Sequence, residues 1–153
     1  MTDPQQAQLE MVHRLPEARV VNRIDYVTGL ARGKRVKVAV IDTGVDTAHP
    51  AFSGALHDTF NALSASKDSP EAHGTSIAGI VGARAGFAGV APDAQVLSAR
   101  AFTSAASGPA QSHTLAVLKS LDWAVSRGAR VVNMSFAGPE DPLLGRAIAA
   151  AVK

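Results

Sequence analysis

Six consecutive residues, Val36 to Ile41, restrict the fold of this chain more than any other segment. All of them except Lys37 are apolar, and most are β-branched. A turn from Gly29 to Lys34 precedes them, and Asp42-Thr43-Gly44 follows at once. Apolar runs of this length are typical of strands buried on both faces of a parallel sheet that is covered by helices. The segment therefore predicts a central strand of an α/β fold.

Helix and strand patterns alternate along the rest of the chain. They are a helix from His73 to about Arg84, a strand from Gln95 to Phe102, a helix from about Ser112 to Arg127, a strand from Arg130 to Met134 and a helix from Asp141-Pro142 to Lys153. Such alternation builds a parallel sheet through right-handed crossovers. The predicted fold class is α/β, a three-layer, doubly wound, mostly parallel sheet. Its reactive groups should lie at the carboxyl ends of the strands, namely at Asp42, after Phe102 and at Ser135.

The composition excludes several classes of function. A net charge of +2 without a basic run does not favour nucleic-acid binding. The absence of cysteine excludes disulfides, zinc–thiolate sites and thiol catalysis. No histidine pair has metal-binding spacing, no phosphate-binding loop is found, and no apolar run reaches the ~18 residues of a membrane span. The polar N-terminus has no signal-peptide pattern. No cofactor, nucleic-acid partner or membrane partner is evident.

Asp42 is the first candidate for chemistry, because it follows the buried strand directly. An isolated aspartate there is often only a turn-former or a helix N-cap. It could also accept a phosphoryl group, assist a metal-dependent phosphoryl transfer or orient the histidine of a catalytic triad. Asp-Thr-Gly occurs in aspartic proteases too, but those are β-rich and need two copies, whereas this chain has one copy and strong helices. The aspartic-protease interpretation is therefore rejected.

His73 is the second candidate, because it stands at the start of the predicted helix. The positive end of the helix dipole disfavours a cation there and favours neutral imidazole, which is the form a general base requires. Gly74 carries no side chain and is expected to leave room beside the ring for a substrate. A lone histidine at a helix start is more often structural, so this position is suggestive and no more when taken alone.

Four segments, in order, resemble motifs of the subtilisin-like serine proteases. They are Val38 to Asp46 followed by His49-Pro50, His73 to Val81, Gly89 to Ala94, and Val131 to Pro139. The first two are similar to the family's motifs around its catalytic aspartate and histidine. The third resembles the loop before the next core strand, and the fourth resembles the strand and turn beside the specificity pocket. The resemblance covers about residues 36 to 153.

The resemblance implies a serine endopeptidase that hydrolyses peptide bonds with an Asp-His-Ser triad. His73 would take the proton from the serine and return it to the leaving amine, while Asp42 would hold the imidazole in the correct tautomer. It also implies that the polypeptide substrate binds as an extended strand. The implied substrate-binding residues are Ser107, Gly108, Ser135, Phe136 and Ala137.

This sequence departs from the family pattern at several positions. Ser76 stands where the family commonly has a second histidine, and Ser69 to Ala72 replaces a glycine-rich lead-in. The pocket turn reads Ser-Phe-Ala-Gly, so Ala137 adds a methyl group to the pocket wall. No convincing cluster of acids is found for calcium, which the family often binds and which is therefore implied by resemblance only.

The nucleophile is the largest departure. The family's Gly-Thr-Ser motif and its oxyanion-hole asparagine are not found in these residues, and the contexts of Ser53, Ser98 and Ser126 do not fit a nucleophile. The expected protein is thus the N-terminal part of a peptidase domain that is inactive alone. The alternative is a pseudoprotease segment that binds peptides without cutting them. Residues 1–33 are expected to be a lead-in or propeptide remnant before the domain at 34–153, and family resemblance suggests a secreted or cell-envelope protein.

Overall fold

A computed structural model describes residues 31–63, 70–104 and 110–152 of the chain. The elements in these ranges are the strands β1 (Lys37–Asp42), β2 (Leu56–Asn61), β3 (Gln95–Arg100) and β4 (Val131–Asn133), and the helices α1 (Ala72–Gly82), α2 (Thr114–Ser126) and α3 (Pro142–Ala151). The predicted α/β class is confirmed. The turn of Ser107 and Gly108 and most of the predicted lead-in lie outside the described residues.

The four strands form one parallel sheet in the order β2-β3-β1-β4. The strand predicted from the apolar run is β1, which lies between β3 and β4 and is buried along most of its length. Its alternate residues face two separate cores. Ala39 and Ile41 pack under α2 with Leu121, whereas Val40 packs with Ala78 of α1. Helices therefore cover both faces, as a doubly wound sheet requires.

Several element boundaries differ from the prediction. Asp42 is the last residue of β1 rather than the first residue after it, and β3 ends at Arg100 instead of Phe102. The amide of Ala101 makes the last regular bond, 2.8 Å, to the carbonyl of Asp42, and the amide of Phe102 donates to the same carbonyl at 3.2 Å, so the regular pairing ends there. The chain thus turns away from the sheet immediately beside Asp42.

Strand β2 was not predicted from the sequence. Its residues, Leu-His-Asp-Thr-Phe-Asn, include no apolar run, and their burial alternates because the strand lies at the edge of the sheet. Phe60 turns inward and stacks on Trp123 of α2, with ring centroids 5.4 Å apart. Pairing with β3 and this one aromatic contact hold a segment whose own sequence favours a strand only weakly.

Two glycines of α1 permit close packing against neighbouring segments. A Cβ on Gly74 would lie 2.9 Å from the carbonyl carbon and the Oγ1 of Thr43, and closer still to the Thr43 carbonyl oxygen. One on Gly82 would lie 2.5 Å from the Cγ2 of Val96 on β3. The expectation that Gly74 makes room for a substrate is wrong in this respect, because the space beside it is filled by the turn after Asp42.

The predicted start of the last helix at Asp141-Pro142 is confirmed, and Asp141 is its N-cap. Oδ1 of Asp141 accepts hydrogen bonds from the amides of Leu143 and Leu144, at 2.8 and 3.2 Å, and Oδ2 accepts from the hydroxyl of Thr114 at the start of α2. The bond from Thr114, and then those from the amides, hold the pKa of Asp141 below its usual range. One carboxylate therefore fixes the starts of two helices.

Gly145 in α3 offers a direct test of stability. It is an exposed helical residue whose added Cβ would meet no atom within 4 Å. We expect Gly145→Ala to raise the free energy of unfolding by about 0.5–1 kcal/mol, because alanine has the higher helix propensity and lowers the entropy of the unfolded chain. Urea denaturation followed by circular dichroism measures the change. A variant less stable than the wild type would mean that α3 is not helical at this position.

Candidate active site

The two candidate catalytic side chains, Asp42 and His73, meet at the carboxyl end of β1. Nδ1 of His73 lies 2.7 Å from Oδ1 of Asp42. The two residues are 31 positions apart in the sequence, and the crossover through β2 brings them together. The side chain of Asp42 is 4% exposed and that of His73 is 57% exposed. A buried carboxylate therefore holds one nitrogen of an imidazole that is open to solvent.

Hydrogen bonds from backbone amides hold both the side-chain carboxylate and the backbone carbonyl of Asp42. Oδ1 also accepts a hydrogen bond of 2.6 Å from the amide of Thr43, and the Asp42 carbonyl accepts from the two amides that follow β3. Because an ionised carboxylate only accepts hydrogen bonds, Nδ1 of His73 carries the proton in this pair. Nε2 of the neutral ring is then the acceptor, and it is the nitrogen that can take a proton from another group.

The side chain of Thr43 connects the Asp-Thr-Gly turn to the start of α1. Its Oγ1 accepts a hydrogen bond of 2.9 Å from the amide of Gly74, one of the helix-start donors that have no partner within the helix. Thr75 makes a second link, since its Oγ1 accepts from the amide of Asp46 at 2.9 Å. The first turn of α1 is thus fastened to the segment that follows Asp42, and the His73 side chain is positioned with it.

A pocket of about 270 Å³ opens beside the Asp42–His73 pair. Its lining residues are Asp42, Thr43, His73, Phe102, Ala110, Ser135, Phe136 and Ala137. The rings of Phe102 and Phe136 are in contact, with centroids 4.7 Å apart, and they make one side of the pocket apolar. Such a site can receive an apolar group next to a proton acceptor.

The structure brings three of the five predicted substrate-binding residues into this pocket. Ser135, Phe136 and Ala137 follow β4 and line the pocket together with His73. The hydroxyl of Ser135 is hydrogen-bonded to the side-chain amide of Asn133, 2.9 Å away. Ser107 and Gly108 lie outside the described residues.

Sequence reasoning missed Phe102 and Ala110 as lining residues. Phe102 was assigned to the preceding strand, and its position at the carboxyl end of β3 is the signal that could have identified it. Thr103 and Gln111 form an antiparallel bridge, with N–O distances of 3.0 and 2.8 Å, which brings residues 102 and 110 together. No local pattern in the sequence indicates that bridge.

Glu71, directly before α1, is the other residue near the pair that the sequence did not single out. Its carboxylate accepts from Nη2 of Arg100 at 3.1 Å and from the amide of Ser104 at 2.8 Å. Burial by itself would raise the pKa of Glu71, but the bond from Ser104 and the ion pair with Arg100 outweigh it and hold the pKa below the usual range. Glu71 is therefore ionised at neutral pH.

Metal-binding clusters and membrane-spanning helices can both be looked for within the described residues. Within them, no three histidine or acidic side chains are grouped so that they could hold a metal ion. No helix in these ranges is both long and apolar enough to cross a bilayer.

The sequence profile of the subtilase family of peptidases matches residues 33–153. The chain belongs to the subtilase family. This subtilase is 32% identical to the major intracellular serine protease of Bacillus subtilis (strain 168), over 157 residues that cover 95% of this chain and 48% of that protein. It is 34% identical to subtilisin E of the same organism, over 112 residues that cover 70% of this chain and 28% of that protein.

Solved structures place the fold in the same family. A cold adapted subtilisin-like serine proteinase superposes with a TM-score of 0.65 at 29% identity, covering 79% of this chain and 44% of that one. The prenylagaramide maturation protease PagA superposes with a TM-score of 0.64 at 26% identity, covering 83% and 46%. The predicted subtilisin-like fold is confirmed. The chain spans about half the length of the intracellular protease it matches, and less of subtilisin E.

The relatives do not support the expected secretion of this subtilase. Its matches include the major intracellular serine protease and also the minor extracellular protease Epr of Bacillus subtilis (strain 168), at 34% identity over 71% of this chain and 17% of that protein. Family membership is therefore compatible with either compartment.

Proposed function

We propose that this subtilase chain carries the acid and the base of a serine endopeptidase of the subtilisin type. Asp42 orients His73, His73 is the general base, and the nucleophilic serine comes from polypeptide outside residues 1–153. The observation that carries the proposal is the 2.7 Å contact between the buried Asp42 carboxylate and the exposed His73 ring, beside a pocket. Membership in a family of serine proteases supports it.

In the proposed reaction Nε2 of His73 makes both proton transfers, while Nδ1 stays hydrogen-bonded to Asp42. Nε2 takes the proton of the serine hydroxyl as the serine oxygen attacks the scissile carbonyl carbon, and it gives that proton to the leaving amine as the C–N bond breaks. Water then repeats the sequence on the acyl-enzyme. Throughout, Asp42 holds Nδ1–H, which fixes the tautomer and stabilises the imidazolium that forms.

The proposed substrate is a polypeptide in an extended conformation. Ser135, Phe136 and Ala137 follow β4 and line the pocket beside His73, which supports their contact with such a peptide. The contact between Phe102 and Phe136 favours an apolar substrate side chain in the pocket. Backbone pairing would supply affinity, and this apolar wall would supply selectivity.

The alternative, a binding segment that never cuts, is supported less well. Capture of a peptide needs a strand edge and a pocket, but it needs neither a buried carboxylate under an exposed imidazole nor the turn that fixes both. The described serines other than Ser135 do not line the pocket, and Ser98 is only 4% exposed within β3. The proposed nucleophile is therefore a serine outside these residues.

A serine-directed fluorophosphonate probe tests the proposal. We expect the 153-residue chain to take no label and to hydrolyse no casein, because loss of the nucleophile costs roughly a millionfold in kcat, a value measured on subtilisin itself. A polypeptide that continues past Lys153 with Ala-Gly-Asn and Gly-Thr-Ser-x-Ala segments should be labelled at that serine and should cleave casein.

Ser135→Ala provides the control, because Ser135 is the serine that lines the described pocket. The longer polypeptide should still be labelled when it carries this substitution. If the downstream coding sequence holds no such serine segment, or if Ser135 itself takes the label, the proposed triad is wrong. A longer polypeptide that binds extended peptides in calorimetry and is never labelled would favour the binding segment.

A further inference from the structure

Ser135 is the serine among the residues that line the pocket beside the Asp42–His73 pair. A serine hydroxyl within hydrogen-bond reach of a neutral imidazole is the pairing that activates a nucleophile. In the proposed function, however, the nucleophile comes from polypeptide outside residues 1–153. Unless another group engages the Ser135 hydroxyl, it competes with that nucleophile for the base.

The side chain of Asn133 engages this hydroxyl. Its Nδ2 donates to Oγ of Ser135 at 2.9 Å, and the same Oγ donates to Oδ1 of Asn133 at 3.2 Å. Both polar atoms of the amide face the hydroxyl, so the contact is kept whichever way the amide is oriented. Among the described residues, Ser135 makes no hydrogen bond to His73. The hydroxyl is therefore held by the amide instead of the base.

The position of Asn133 is itself fixed by the sheet. Asn133 is the half-buried last residue of β4, and it pairs in register with Val40 of β1. Ser135 and Asp42 each follow two positions later, and both line the pocket at this edge of the sheet. The residues between β4 and α3 belong to no helix or strand. Asn133 thus ties the first part of this irregular segment to the end of a regular strand.

Thr43 carries the other hydroxyl that lines the pocket, and that hydroxyl is engaged as well. Its Oγ1 accepts from the amide of Gly74 at 2.9 Å. Neither of the two hydroxyls is bonded to His73 in the part of the chain that the structure describes, and the ring remains 57% exposed. Nε2 of His73 is therefore open to a group that enters the pocket from elsewhere.

We propose that Asn133 is a positioning residue that holds the Ser135 hydroxyl at the end of β4 and so keeps Nε2 of His73 available for the nucleophilic serine. The proposal rests on the proposed peptidase function. Without the amide, the Ser135 side chain can rotate, and its hydroxyl donates to Nε2 of the neutral ring. A single hydrogen bond between neutral groups shifts such an equilibrium by roughly fivefold. The fraction of enzyme with an available base then falls by a similar factor.

A double-mutant cycle in the active, longer polypeptide tests this role. Asn133→Leu keeps the size of the side chain and removes both polar atoms, and we expect it to lower kcat by roughly fivefold. In a background that carries Ser135→Ala, the same change should alter kcat by less than about twofold, because no hydroxyl is left to release. An unchanged kcat in Asn133→Leu, or an equal fall in both backgrounds, would overturn the proposal.

Asn61→Leu is the matched control for this cycle. Asn61 also ends a strand, β2, and its Oδ1 accepts from the amide of Leu63 at 2.9 Å, away from the residues that line the pocket. Asn61→Leu should leave kcat unchanged with or without Ser135→Ala. Thermal melting followed by circular dichroism checks that each variant is folded, so that a fall in kcat can be assigned to the site.

Hydrogen exchange of the Asn133 side-chain amide tests the contact in the 153-residue chain, without activity and without a substitution at Asn133. In Ser135→Ala we expect these amide protons to exchange roughly fivefold faster than in the wild type, because their acceptor is gone. The side-chain amide of Asn61 should keep its rate in the same sample. Equal rates for Asn133 in the two proteins would show that the hydroxyl is not held, and the proposal would be wrong.

The two proposals fail in distinguishable ways. A wild-type longer polypeptide without peptidase activity contradicts the proposed function, and the exchange result then decides whether Asn133 holds Ser135. An active wild type in which Asn133→Leu has the same effect on kcat with and without the Ser135 hydroxyl contradicts the role of Asn133 alone.

Discussion

Replacing His73 by alanine is expected to lower kcat/KM by roughly a millionfold in the active polypeptide that contains this segment. The ring is the acceptor of the serine proton in the proposed mechanism, and no other histidine lines the described pocket. Asp42→Asn should cost roughly 10⁴-fold, because an amide in that place favours the wrong tautomer of the imidazole. The first value was measured on subtilisin, and the second on a chymotrypsin-type protease that has the same triad geometry on an unrelated fold.

Peptide hydrolysis at saturating and subsaturating substrate measures both effects, and circular dichroism checks the fold of each variant. His57→Ala is the matched control, because His57 is an exposed histidine on the edge strand β2 and lies outside the pocket. It should retain wild-type kinetics. A His73→Ala variant that keeps more than a tenth of the wild-type kcat/KM would show that His73 is not the general base.

Gly74→Ala is expected to disturb both the stability and the chemistry of the site. The added Cβ would overlap the backbone of Thr43, which cannot move without its neighbour Asp42. We expect a loss of about 1–3 kcal/mol in the free energy of unfolding, as for other overpacking substitutions. We also expect kcat to fall by about 10², because a displacement of about 1 Å between Asp42 and His73 is enough to misplace the general base.

Urea denaturation measures the first effect of Gly74→Ala, and single-turnover kinetics of the longer polypeptide measure the second. Gly145→Ala is the comparison, since it makes the same substitution in a helix where the added Cβ meets nothing. The two variants should change stability in opposite directions. If Gly74→Ala were as stable and as active as the wild type, the close contact of α1 with the Asp42 turn would be wrong.

The elements that the sequence predicted well are those with a strong local pattern. The apolar run of β1, the helical pattern of α2 and the Asp141-Pro142 start of α3 are each set by residues a few positions apart in the sequence. β2 was missed because its pattern is weak and its stability comes from pairing with β3 and from the stacking of Phe60 on Trp123.

The residues of the candidate site also fall into those that the sequence predicted and those that it missed. The motifs around Asp42 and His73 could be recognised as sequence, because each combines a strand end or a helix start with small residues in a fixed order. The role of Gly74 was misjudged, since the atoms that fill its neighbourhood belong to Thr43, 31 positions earlier. Phe102 and Glu71 were missed because their partners, Phe136 and Ser104, stand more than thirty positions away.

The sequence by itself thus determined the α/β class, the family resemblance and the identity of the two candidate catalytic side chains. Only the tertiary structure decided that Asp42 is buried, that His73 stands exposed 2.7 Å from it, and that Glu71 connects the helix of His73 to the segment after β3. The physical reason is that helix and strand patterns reflect forces between near neighbours in the chain. Burial, hydrogen bonding across the sheet edge and steric fit depend instead on which distant segments the folded sheet brings together.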